Sequence, residues 1–307
     1  MENNQTYHRI SILGCGWLGL PLARRLLEKE HFVRGSTTTK EKIALLEPEG
    51  IEPYYLKLDP QISGDDVTTF FDVDTVVLNI PPPRVEDRVT FMRKQADELV
   101  SYINASPVKR LIMVSSTGVY GFKNQDADES NSHPPETENG RGLVTMERQL
   151  LDGLRASVAV LRMSGLIGPG RNPGRFLSGR IGNKRSGKKQ VDKDGNQHSS
   201  QDQYNQSHKI SGNGDEPVNL IHLEDACGVI ITLIEQPDIT GIFNTSAKEH
   251  PSRKEFYSRA AEKLGFDPPK FADAEPRPWK RIISEKIRRK TGYRFVYDNP
   301  IDALDAM

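Results

Sequence analysis

A doubly wound α/β fold is predicted by three observations. Strand-like and helix-like segments alternate from residue 9 to residue 162. Several strand segments are apolar throughout, as strands covered on both faces must be. A glycine-rich turn joins the first strand to the first helix. Strands alternating with helices imply a parallel sheet with right-handed crossovers.

The elements follow in order. Residues 9–13 (RISIL) are β-branched and apolar, and the chain then reads Gly14-Cys15-Gly16-Trp17-Leu18-Gly19. Leu18, Leu22 and Leu26 continue at helical spacing, with Ala23 and Leu27 beside them. Pro21 removes one backbone donor and reads as an irregularity of the first turn. A second strand is expected at 31–36, a helix at 40–46 and a third strand at 54–58. Residues 74–80 (DTVVLNI) form a buried strand, 86–104 an amphipathic helix and 110–114 another buried strand. Residues 142–154 read as helix and 158–162 as strand.

After Arg162 the pattern changes. Gly168-Pro169-Gly170-Arg171-Asn172-Pro173-Gly174 is turn chemistry. The tract 179–214 has four apolar residues in 36, and seven Lys/Arg against three Asp. Such a composition cannot offset its ordering entropy by burial, so a disordered insertion is expected there. Order resumes at 218–223, followed by a helix at 224–235 and a short strand at 241–245. Ser252 and Glu255 make a capping-box pattern at the head of a helix over 252–264. The expected organisation is a sheet domain over 1–165 plus 220–245. A smaller C-terminal, substrate-side subdomain takes 166–219 plus 246–307.

The composition excludes several classes. The chain has 307 residues, 42 basic and 42 acidic, and no net charge, so a nucleic-acid partner is not expected. No run approaches the roughly 20 apolar residues of a membrane span, and mean hydropathy is −0.59. The N-terminus, MENNQTYHRI, carries no apolar secretory segment. Two cysteines, Cys15 and Cys227, make neither a disulfide framework nor a zinc cage. A cytoplasmic setting fits all of this. The 36% hydrophobic content is low because the basic, polar tract dilutes a mildly acidic body.

Gly14-x-Gly16-x-x-Gly19 between strand and helix is a dinucleotide-binding fingerprint of the Rossmann type. The first glycine permits the turn and the second lets backbone approach a pyrophosphate. The third lets helix and strand pack closely. Trp17 and Leu18 lie in the same loop. An NAD site usually places an acid roughly 20 residues further on. Here the second strand ends Arg34-Gly35-Ser36-Thr37-Thr38-Thr39-Lys40, with no carboxylate before Glu41. Hydroxyls and a cation suit a 2′-phosphate, so NADP is expected, with NAD as the alternative. Ser36, Thr37, Thr38 and Lys40 are the candidates, with Arg34 beside them; the hydroxyls could equally cap the next helix. Ligands of such sheets meet the carboxyl ends of the strands. That adds Asp59, Asn79, Pro81 and Ser115. Asp59 either accepts from an adenine amino group or makes the turn before Pro60.

GCGWLG, VSSTGVYG (114–121), RMSGLIGPGR (162–171), NLIHLEDA (219–226) and FNTS (243–246) occur in this order. Together they resemble the extended and atypical short-chain dehydrogenase/reductases, relatives of sugar-nucleotide epimerases and dehydratases. The resemblance spans nearly the whole chain except 179–214. It implies a catalytic Ser at Ser116. It also implies a Tyr and a Lys four residues apart, at the positions of Asn139 and Leu143. Asn is no general acid, and Leu can do neither job of the Lys. The chain therefore resembles members with an eroded catalytic set, and Tyr120 is the candidate substitute acid. Two functions follow: an NADP-dependent oxidoreductase or epimerase/dehydratase-like enzyme acting on a small carbonyl or sugar-nucleotide-like substrate, or a non-catalytic NADP-binding sensor or scaffold. The resemblance implies a monomer or a homodimer, pairing through helices 86–104 and 142–154.

Other residues carry two readings each. Cys15 is either a thiol activated by the helix N-terminus or a small packing residue. Glu147 is a helix-surface or ion-pair residue. His222 is structural or catalytic. Arg171 either reaches a substrate phosphate or carboxylate with its bidentate fork or faces solvent.

Overall fold

The computed structural model describes residues 7–173 and 212–307. Of the tract 179–214, all but the last three residues lie outside the described residues, and so does the expectation of disorder there. The first strand, β1 (Arg9–Leu13), runs into helix α1 (Gly19–Glu28). Leu22, Ala23 and Leu26 on α1 are fully buried against the sheet, as their spacing predicts. Then come β2 (Phe32–Thr37), α2 (Ile43–Leu46), β3 (Glu52–Leu58) and β4 (Ile62–Gly64). Helix α3 (Val67–Phe70) leads to β5 (Thr75–Leu78), α4 (Arg88–Asn104) and β6 (Arg110–Ser116). After β7 (Gln125–Ala127), α5 (Glu138–Gly153) precedes β8 (Ser157–Met163) and β9 (Gly165–Ile167).

Beyond residue 211 the described elements are β10 (Leu220–His222), α6 (Leu223–Glu235), β11 (Gly241–Thr245) and α7 (Arg253–Lys263). The tail adds β12 (Lys280–Ile282), α8 (Glu285–Thr291) and α9 (Pro300–Ala303). Ser252 caps α7, its Oγ accepting from Glu255 N at 3.1 Å, as the capping pattern predicts. Helix α5 begins at Glu138, earlier than the expected 142, because Thr137 Oγ1 caps Gly140 N at 3.1 Å.

The main sheet has eight strands in the order β11–β8–β6–β5–β1–β2–β3–β4. All pair in parallel except β4, which runs antiparallel to β3. β1 lies between β2 and β5, so the chain reverses direction across the sheet there. Such a switch point opens a crevice at the carboxyl ends of the strands. One apolar cluster lies under α1 and α6, and a second lies under α4 and α5. The expected return of 220–245 to the main sheet holds for β11 alone. β10 pairs with β9 in a separate two-stranded sheet, and β12 pairs with β7 in another. A three-residue run carries too little pattern to name its partner; the folded neighbours do.

Candidate functional site: the dinucleotide crevice

The glycine loop sits at the carboxyl end of β1. Gly14 has φ +106°, and a Cβ there would stand 2.2 Å from Asn79 O. A Cβ on Gly19 would stand 2.4 Å from Gly14 O. At Gly16 a Cβ would meet nothing within 4 Å. Two glycines are thus required by the fold, and the middle one faces open space. Gly16 is exposed, and the first turn of α1 holds no acidic residue to oppose the positive end of the helix. Leu18 is 3% exposed and packs into the core, leaving only its backbone to the loop.

Several predicted ligand residues are struts of this loop. Ser36 Oγ accepts from Gly14 N at 3.0 Å, and Ser36 O accepts from Cys15 N at 2.8 Å. Asn79 Nδ2 donates to Gly14 O at 2.9 Å. Thr37 is buried and its Oγ1 accepts from Thr39 N at 3.2 Å. Arg34, named beside these candidates, is largely engaged elsewhere. It is buried and donates to Glu52 at 3.2 Å, to Asp72 O at 2.9 Å and to Thr69 O, so three of its five N–H donors are engaged within the fold. Thr38 and Lys40 are exposed beyond β2, and Lys40 Nζ lies 5.2 Å from the centre of the Tyr55 ring. Asp59 is exposed after β3, and its N–H closes a turn onto Gln61 O at 2.9 Å. Pro81 is exposed beyond β5.

The second wall is the end of β6. Ser116 is half-buried, and its Oγ accepts from Gly118 N at 3.0 Å. Ser115 turns inward and donates to Glu147. Glu147 is 2% exposed and forms a buried ion pair with Arg162 at 2.7 Å, which decides between its two readings. Arg162 also donates to the Tyr120 hydroxyl at 2.8 Å, and that hydroxyl donates to Asn244 Oδ1 at 2.7 Å. Tyr120 as substitute acid is therefore corrected. The residue is 2% exposed, its proton is committed inside the protein, and burial pushes the phenol up from its ordinary value. The same β6–β8–β11 pairing that builds the sheet brings Ser115, Arg162 and Asn244 side by side.

Helix α5 presses on the Ser116 turn, since a Cβ on Gly140 would stand 2.4 Å from Gly118 O. Leu143, at the place of the family's Lys, is 6% exposed within the apolar cluster. Asn139 Oδ1 is buried without a hydrogen-bond partner among the described residues. A different amine reaches the turn. Lys280 on β12 is 5% exposed, and its Nζ donates to Thr117 O at 2.7 Å and to Tyr120 O at 2.5 Å. Burial pushes this ammonium down to about 8. No local pattern marked it, because its partners are about 160 residues away.

The remaining candidates resolve as packing. Cys15 is buried and burial pushes its thiol up to about 12, opposite to an activated nucleophile. His222 caps α6, its Nδ1 accepting from Glu224 N at 3.2 Å, while its ring meets Tyr297 edge-on at 4.3 Å. Burial lowers its pKa from the ordinary value. Asp225 is fully buried and accepts from Val296 N, Tyr297 N and Tyr293 Oη, so it anchors the tail. Among the described residues no group of His, Cys, Asp and Glu could hold a metal ion, and no helix is long and apolar enough to cross a membrane.

The sequence profile of the NAD dependent epimerase/dehydratase family matches residues 10–245, and the chain belongs to that family. It is 32% identical over 296 residues to Protein YeeZ of Escherichia coli K12, covering 95% of this chain and 97% of that protein. Solved structures share the fold. WbmG of Bordetella bronchiseptica in complex with NAD superposes with a TM-score of 0.72 at 18% identity, over 100% of this chain and 95% of that one. UDP-glucuronic acid 4-epimerase of Bacillus cereus in complex with NAD gives 0.74 at 17%, over 97% and 94%.

Proposed function

We propose that the chain binds NADP and works as an oxidoreductase or epimerase/dehydratase-like enzyme of the cytoplasm. Its substrate would be a small carbonyl or a sugar-nucleotide-like compound. The observation that carries this reading is the open face of Gly16 between two crowded glycines, at the N-terminus of α1, whose first turn holds no acidic residue. Thr38 and Lys40 offer a hydroxyl and an ammonium where an NAD site would hold a carboxylate. The cofactor, when bound, supplies a hydride acceptor or donor. Ser116 keeps its hydroxyl proton for a substrate oxygen, because its bond to Gly118 N uses only a lone pair. Lys280 stiffens the same turn from below.

The sensor reading is favoured by one observation: Leu143 is sealed in the apolar cluster, so no amine from α5 can lower the pKa of a neighbouring acid. Titration with NADP and NAD tests the cofactor assignment, and tighter NAD overturns it. A screen of carbonyls and sugar nucleotides by NADPH absorbance tests the rest. Turnover abolished by Ser116→Ala supports the enzyme, whereas tight NADP binding with no turnover supports the sensor. Whether α4 and α5 pair two copies or face solvent in a monomer is read from sedimentation of the pure protein.

A further inference from the structure

Trp17 joins the glycine loop to the other side of the crevice. Its indole Nε1 donates to Pro169 O at 2.9 Å, across 152 residues of sequence. Pro169 belongs to the turn after β9, which is closed by Arg171 N donating to Gly168 O at 2.9 Å. The turn is pressed onto the indole: a Cβ on Gly168 would stand 2.9 Å from Leu223 Cβ and 3.4 Å from Trp17 Cζ2. Arg171 therefore has a defined place. Its guanidinium carbon lies 5.3 Å from the centre of the Trp17 ring, while the residue stays exposed. No ion pair to Arg171 occurs among the described residues, and Glu224 on the adjoining α6 is taken by Arg25 at 2.5 Å. A guanidinium with no ion pair among the described residues thus stands over the residue next to Gly16.

We propose that Arg171 is a second arm of the dinucleotide site, binding the pyrophosphate from the substrate-side turn. The inference rests on the dinucleotide reading above. A helix N-terminus supplies N–H donors and roughly half a positive charge, which leaves most of a pyrophosphate's charge unmatched. Arg presents the planar fork that phosphate oxygens accept bidentately. Its stacking on Trp17 holds the side chain before the ligand arrives, so less freedom is lost on binding.

The test compares Arg171→Met, Arg171→Lys and Trp17→Phe with the wild type by calorimetric titration of NADP, NAD and 2′-AMP, which lacks the pyrophosphate. Arg171 is exposed, so its two variants should keep the wild-type circular dichroism and melting temperature. Arg171→Met should weaken NADP and NAD alike by about 10- to 100-fold. It should leave 2′-AMP unchanged and flatten the salt dependence of dinucleotide affinity. Arg171→Lys should fall between, and Trp17→Phe should lose less. Wild-type affinity for both dinucleotides in Arg171→Met overturns the inference. So does an effect confined to substrate KM, or an equal loss for 2′-AMP. A wild-type protein that binds no dinucleotide at all overturns the underlying reading instead, and the two failures are distinguishable in one set of titrations.

Discussion

Alanine substitution at the three loop glycines separates fold from function. At Gly14 the backbone has φ +106° and the new Cβ would stand 2.2 Å from a backbone oxygen, which cannot swing aside. Strain of this kind and overpacking each cost about 1–3 kcal/mol. A total of about 2–6 kcal/mol is a large part of the stability of an ordinary domain. At roughly 2 °C per kcal/mol, Gly14→Ala should lower the melting temperature by about 4–12 °C. Gly19→Ala meets Gly14 O at 2.4 Å and should also destabilise. Gly16 has no positive φ and no neighbour within 4 Å, so Gly16→Ala should move stability by no more than about 0.5 kcal/mol. Ligand tells the other half. A dinucleotide at a hundred times its Kd stabilises by about 2.7 kcal/mol, or about 5 °C, and Gly16→Val should lose that increment while folding normally. Scanning calorimetry with and without NADP reads both. The reasoning is refuted if Gly16→Ala melts as low as Gly14→Ala, or if Gly16→Val keeps the full ligand shift.

Three further substitutions probe the walls of the crevice. Glu147→Gln strands the Arg162 charge in the interior and should cost about 3–5 kcal/mol in urea unfolding; a change below about 1 kcal/mol would show the pair to be dispensable. Tyr120→Phe should leave dinucleotide affinity unchanged while destabilising by about 1–3 kcal/mol, since Arg162 and Asn244 each lose a partner; abolished turnover with unchanged stability would restore Tyr120 as an acid. Lys280→Met alters the pH dependence of stability. The folded-state value is about 8 against the ordinary 10.5, so the folded protein binds fewer protons between these limits. Lys280 thus contributes stability that is fully present above 10.5 and lost as pH falls through 8. The wild type should gain up to about 3 kcal/mol relative to Lys280→Met between pH 8 and 10.5, and parallel curves would contradict the buried, desolvated ammonium.

Much of the fold is legible in the sequence because its signals are local. The all-apolar strand cores, the leucine spacing of α1 and the Ser252 cap each need only a few neighbouring residues to be read. Strand partners are less local. β10 was expected in the main sheet, yet it pairs with β9, because three residues hold too little pattern to specify a neighbour. The helix α5 boundary moved for the same reason: the cap at Thr137 lies in a polar stretch with no hydrophobic period.

Glycine spacing alone places a glycine loop between a strand and a helix, and the resemblance implies Asn139 and Leu143 where the family has its Tyr and Lys. Glycine spacing and residue identity are sufficient for both. Which polar residues keep capacity for a ligand depends on tertiary contacts. Ser36, Asn79, Ser115 and Tyr120 are the same residue types as a ligand shell would use, but each is bonded inside the protein, while Thr38 and Lys40 are exposed and Ser116 keeps its hydroxyl proton. Lys280 entered the site, and Arg171 came to rest over Trp17, through contacts spanning more than 150 residues. Hydrogen-bond capacity is a property of a side chain, but whether it is already spent depends on what the fold places beside it.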